Sequence, residues 1–276
     1  DSTFNGNITV NGGILESTAD YAIYHPHTGT TTINGGTVYG AAGGVSLNRG
    51  KLVVNGGTIT SKGTGTTGDW GDGTGKQDAA AINVNAKYEE TSVEIKGGTI
   101  TAEKDAILLT NGKNGTIAVS GGTFSSEVKP EYCAPGFEPK GNNDGTHGVK
   151  IKEDMAAEIL DAQGKTVAAY GKLADAITVA KNGETVTLLK DAKTTVELSF
   201  TNKAITLDLN GKTVSGTFTD NFSVIEAGAD ASLTVQDTSV AGTGKIASDK
   251  YGISARDGGA LIVKSGTIAS EYAPLS

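Results

Sequence analysis

The five residues "NGGTI" at Asn55–Ile59 recur along this chain, and their recurrence decides the fold. Close copies are "NGGIL" at Asn11, "NGGTV" at Asn34, "KGGTI" at Lys96 and "SGGTF" at Ser120. Weaker ones are "NGKTV" at Asn210 and "KSGTI" at Lys264. Between first glycines the four intervals of the close copies are 23, 21, 41 and 24 residues. Self-similarity at such a spacing marks a stacked repeat.

The residues before each motif alternate. Val10, Ile33, Val54, Ile95 and Val119 stand immediately ahead of it, and Ile8, Thr31, Leu52, Val93 and Ile117 stand two earlier. In the weaker copies Leu209 and Val263 take the first column, Leu207 and Leu261 the second. That is strand alternation with one face inward. After the glycines, Ile14, Val38, Ile59, Ile100 and Phe124 make a third inward column, and further strands centre on Ile23, Val45, Ile82, Ile107 and Ile253. The glycines mark a sharp bend between strands. Three short strands per turn of roughly 22 residues predict an all-β fold, a right-handed parallel β-helix. Asn11, Asn34 and Asn55 then stack as an amide ladder at a bend, which explains them without catalysis.

Composition agrees with many short strands. Forty glycines, five prolines and 5% aromatics leave a core of Val, Ile, Leu and Ala. A net charge of −8, with Arg49 and Arg256 the only arginines, argues against a nucleic-acid surface or an anionic-membrane binder. No run of eighteen apolar residues occurs. The chain opens inside a strand pattern, so it reads as a mature fragment of something longer. Cys133, the single cysteine, is expected as a small buried hydrophobe.

From about Phe124 the repeat breaks, giving an expected division into a β-helix over 1–126, a connector with β-hairpins over 127–169, and a second module over 170–276. Two hairpins are expected, around "NNDG" and in "AEILDAQGKTVAAY". In "YGKLADAITVAKNG", Leu173, Ala176, Ile177 and Ala180 share one helical face, with Gly183 placed to end the helix. An amphipathic helix ahead of a solenoid reads as its cap.

Runs of "NGGTI", followed by "GGTFSSEV", "YCAPGFEP", "NDGTHGVK" and "YGKLADAITVAKNGETVTLLKD", resemble the tandem-repeat, pectin-lyase-like β-helix surface proteins of gut Gram-positive bacteria. The resemblance spans nearly the whole chain. It implies an extracellular, cell-wall-attached location and an adhesin-like role, with host immunoglobulin among the partners that such proteins take. It supplies no catalytic motif.

The long interval is an insertion. From the first glycine to the third-strand residue other repeats use 10 or 11 residues, whereas Gly56 to Ile82 uses 26. The surplus, placed at Ser61–Asp78, reads as a loop at one corner. It contains Trp70, the only tryptophan, with Asp69, Asp72 and Asp78. Those three acids are candidate calcium ligands, although the spacing is not that of an EF-hand and its closing Glu is missing. Trp70 is a candidate anchor for a partner, and Trp70, Tyr39 and Tyr88 are candidates to stack on a host glycan such as mucin. A Gly/Thr loop with Trp70 folded back on the solenoid is the plain alternative.

Enzyme chemistry finds little support. Arg49 and Arg256 have no acidic cluster in their own repeats, and no two successive coils place acids in one column. His25 and His27 flank Pro26 and are expected at a solvent-exposed turn, as is His147. No cofactor is expected beyond the calcium candidate. The expectation is a non-catalytic surface binding protein, with a glycan-binding module or a structural stalk as alternatives.

Overall fold

A computed structural model describes residues 5–63, 80–86, 91–110 and 115–276. The fold is all-β, 52% strand and 4% helix, a β-solenoid of about ten turns with one short helix. Two compact units divide it, residues 1–150 and 151–276.

In the first unit the coils follow the repeat. β1 (Ile8–Val10), β2 (Ile14–Ser17) and β3 (Tyr21–His25) make the first. β4 (Thr30–Ile33), β5 (Thr37–Gly40) and β6 (Gly43–Leu47) make the second. The third holds β7 (Gly50–Val54), β8 (Thr58–Ser61) and β9 (Ile82–Asn85). β10 (Thr91–Thr101) runs through its glycine pair, then comes β11 (Ile107–Thr110), and β12 (Thr116–Phe124) closes the stack. Pairing between coils is parallel and in register. Val10, Ile33, Val54, Ile95 and Val119 form one ladder, and Ile23, Val45, Ile82 and Ile107 another. These side chains are buried and form the core. Asn34 Nδ2 donates to Asn11 Oδ1 at 2.7 Å and Asn55 Nδ2 to Asn34 Oδ1 at 2.8 Å, which is the amide ladder expected from the repeat.

Both glycines of a motif are required, for different reasons. Gly36 has φ +82°, the left-handed region, whereas a Cβ on Gly35 would lie 2.8 Å from the Asn11 carbonyl oxygen of the coil before.

The first unit departs from expectation at three positions. Ile14 is not inward: it pairs with Thr37, Leu15 pairs with Val38, and Ile14 is 70% exposed. "NGGIL" carries Ile where the other copies carry Thr, so its inward residue comes one position later. Cys133 is half-buried, not buried; it packs on the core edge and bridges in parallel to Val119. The corner insertion begins after Ser61, which is a buried residue of β8.

β13 (Phe137–Gly141) and β14 (His147–Ile151) follow a 3-10 turn at Pro130–Tyr132, and β14 pairs antiparallel with β12. The second hairpin, β15 (Ala157–Leu160) and β16 (Thr166–Tyr170), opens the second unit. Helix α1 (Leu173–Val179) buries Leu173, Ala176 and Ile177, and Ala180 follows them into the core. The first coil of this unit is β17 (Thr185–Leu188), β18 (Ala192–Thr194) and β19 (Leu198–Phe200). β20 (Ala204–Asp208), β21 (Thr213–Gly216) and β22 (Ser223–Ala227) form the next. β23 (Ser232–Gln236), β24 (Lys245–Ser248) and β25 (Tyr251–Ala255) precede β26 (Ala260–Val263) and β27 (Thr267–Ser270). Lys203 ties α1 to the stack: its ammonium donates to the carbonyls of Ile177, Thr178 and Ala180 at 2.7, 2.9 and 2.8 Å. These are carbonyls that the end of a helix leaves without partners.

The weaker copies stand two residues out of phase with the expected columns. Leu207 pairs with Val235 and Val235 with Val263, at steps of 28 residues, so Leu207 shares a column with Val263 and not with Leu261. Leu209 falls at the corner. Thr213 lies six positions after Leu207 across that bend, whereas Thr267 lies four after Val263, and Thr213 and Thr267 both pair with Lys245.

Candidate functional site

The corner between β8 and β9 departs from the coil plan. Three residues join β2 to β3, two join β5 to β6 and five join β10 to β11, whereas β8 and β9 are separated by twenty (62–81). The stacked sheets on either side are continuous, so the added chain is carried at the corner. Asp69, Trp70, Asp72 and Asp78 lie outside the described residues, as does Tyr88.

Tyr39 is described, and it stands on the outward face at the foot of this corner. It pairs with Glu16 on one side and Thr60 on the other. Lys62, the first residue after β8, places its Nζ 3.8 Å from the centre of the Tyr39 ring and 3.9 Å from Glu16 Oε1. A hydrogen bond with Glu16, helped by burial and by the carboxylate's charge, raises the Tyr39 pKa. Stacking by a sugar on the ring face under Lys62 requires that ammonium to move aside. Exposed pairs of this kind hold weakly, so the move costs little.

His25 and His27 are not at a solvent-exposed turn. They are 0% and 6% exposed, with rings stacked at 4.0 Å. His25 Nδ1 lies 2.6 Å from Thr31 Oγ1 and its Nε2 lies 2.9 Å from the His27 carbonyl oxygen. This explains Thr31, the polar member of an apolar column: its hydroxyl is buried because His25 meets it. Burial lowers the His25 pKa, and His27 beside it adds to the effect. Both ring nitrogens of His25 are engaged within the fold, so the pair acts as packing. His147 opens β14 and is half-buried.

In the second unit Arg256 finds its acid in another coil. Arg256 Nε lies 2.8 Å from Glu226 Oε2, one coil earlier. Glu197, another coil earlier, accepts the Ser223 N–H at 2.7 Å. Burial raises the Glu197 pKa, opposed by that N–H, reinforced by Glu226 and eased by Arg256. A motif-centred reading missed this grouping because the residues sit outside the repeated glycine motif. The signal that finds them is the 28-residue step from β22 to β25, which pairs Glu226 with Ser254.

Two further carboxylates hold a corner together. Asp208 is buried and accepts from the N–H groups of Asn210 and Thr238 and from the Thr238 hydroxyl. Asp237 accepts the N–H groups of Gly211, Ser239 and Gly244 at 2.8, 3.1 and 2.6 Å. Burial works to raise the Asp237 pKa, but the Ser239 side chain and these backbone N–H groups prevail and lower it. Among the described residues no three His, Cys, Asp or Glu side chains converge as a metal site.

Protein-family models, curated proteins and solved structures offer no match to this chain.

Proposed function

We propose that this protein is a non-catalytic binding protein of the bacterial cell surface, adhesin-like, presenting the corner between β8 and β9 to a host protein. Immunoglobulin is the first partner to test and mucin-type glycan the second. The observation that carries the reading is the corner itself. A scaffold of tight, in-register coils carries twenty residues at a position where its neighbours use two to five. Binding residues concentrate on loops held by rigid frameworks. The segment includes the only tryptophan of the chain, and Tyr39 stands at its foot.

Several of the polar groups buried elsewhere have structural partners. Glu226 is paired with Arg256, Asp237 with backbone N–H groups and His25 with Thr31, which favours a binding role over chemistry. The test is affinity capture from host serum and mucus, with eluates identified by mass spectrometry. The intact chain is compared with a variant carrying a four-residue turn in place of residues 64–78. Immunoglobulin or mucin enriched only by the intact chain supports the reading. Equal enrichment by both moves the site to another face, and no enrichment by either leaves a structural stalk as the better description.

A further inference from the structure

The first coil of the second unit has three strands, each the first member of its parallel stack, and the three are covered differently. β17 is covered by β15 in antiparallel pairing, with β16 beyond it. β19 lies against α1. β18 pairs with β21 on one side and, among the described residues, has no strand on the other. Between β18 and α1 runs a groove of about 470 Å³, floored by Leu173, Leu198 and Val214. That volume falls within the range of ligand sites, about 300–1,000 Å³.

The backbone of β18 faces this groove in a defined way. The Thr194 carbonyl accepts from Thr217 N–H, on the β21 side. Because successive residues of a strand turn their polar groups to opposite sides, the N–H and C=O of Lys193 are directed to the open side. The side-chain column of this sheet also stops short. Ile268 pairs with Ile246, Ile246 with Val214 and Val214 with Ala192, so the ladder ends on its smallest member beside the groove. A further strand would bring one more branched apolar side chain over Ala192 and accept the Lys193 backbone. The rim carries Lys172 and Lys193 against Asp175 and Asp191, a balanced set that favours a neutral segment over a charged one.

We propose that the open edge of β18 is a docking slot for one extended, neutral peptide strand of a partner protein, with a β-branched apolar residue seated over Ala192. Recognition is by strand addition: backbone hydrogen bonds supply affinity and the single side-chain seat supplies selectivity. Lys193 is a fitting residue for such an edge, since a charge there discourages indiscriminate pairing while leaving the backbone available. The slot lies in the second unit and is independent of the corner between β8 and β9.

The test uses the full chain and a fluorescent, uncharged peptide, acetyl-SGTIAS-amide, which copies residues 265–270, the strand whose Ile268 occupies the same column. Lys193→Pro removes the open-side N–H and spares the β21 side, where proline is tolerated on an edge strand. Saturable binding by the native chain is expected. Lys193→Pro weakens it at least about tenfold while the circular dichroism spectrum and urea midpoint stay put. Replacing the peptide isoleucine with aspartate abolishes binding. Equal binding by Lys193→Pro, or no saturable binding up to about 1 mM peptide, overturns the proposal. Peptide-free dimerisation that Lys193→Pro abolishes also overturns it, by making the occupant a second copy of this chain. Should Lys193→Pro unfold the unit, Ala192→Leu, which fills the seat without touching the backbone, is expected to block the peptide in its place.

Discussion

Acid should loosen the first unit through His25. The ring is fully buried against Thr31 and His27, and its pKa is lowered by that burial first and by His27 second. A free histidine titrates near about 6.5. Below that pH the unfolded chain takes up a proton that the folded chain refuses, so the unfolded state binds more protons and stability falls as pH falls. The contribution is complete above the unfolded value and is lost between there and the lower folded value. While the folded ring stays neutral, the loss is at most about 1.4 kcal/mol per pH unit, a tenfold change in the opening equilibrium. The assay is hydrogen exchange at pH 7.5, 6.5 and 5.5, read on peptides covering residues 21–33 and corrected for intrinsic exchange. The native chain should show little change between the first two values and up to tenfold more opening at the third. His25→Gln, which keeps a polar side chain without the titration, should be less stable throughout but lose the pH dependence. Opening that is flat from pH 7.5 to 5.5, or the same decline in His25→Gln, would refute the reasoning.

Other expectations concern the frame. Ile59, fully buried between Val38 and Ile100, should cost about 2–5 kcal/mol on truncation to Ala, measured by urea denaturation. Gly36→Ala meets both a positive φ and a Cβ placed 2.7 Å from Gly12 and Gly13 backbone atoms; a loss above about 1 kcal/mol is expected by the same method. Asp237→Asn turns an amide N–H toward Gly244 N–H and should lower the melting temperature of the second unit. Because the Asp237 pKa is lowered on folding, its stabilisation is present above the free carboxyl value and lost as pH falls through the folded one. The asparagine variant should therefore show a weaker acid transition in that range.

Much of the frame was legible from the glycine pairs and the period-2 columns around them. The inward positions Ile33, Val54 and Ile95 follow from alternation alone, because a strand has only two faces. Ile14 was misplaced because the motif looks intact while its Thr position holds Ile, so the alternation had to be counted from the glycines and not from the hydrophobe. Thr31 and His25 could not be paired by inspection. Their contact depends on where the third strand of one coil meets the first strand of the next, a distance fixed by corner geometry. Arg256 and Glu226 escaped for a related reason: the step from β22 to β25 is 28 residues, and a period drawn from the first unit sets them out of step. Of the residues considered for binding, Tyr39 is where strand register places it, half-exposed on the outward face. The lysine over its ring was not foreseeable, since Lys62 lies one residue beyond the strand.

The most direct measurement of the central claim is biolayer interferometry with the chain immobilised, against purified immunoglobulin and purified mucin in turn. It is run beside the variant with a four-residue turn for residues 64–78, whose circular dichroism must match. The account predicts saturable binding of one of the two by the intact chain, weakened at least about tenfold in the variant. Equal binding by both proteins, or none by the intact chain, would contradict it.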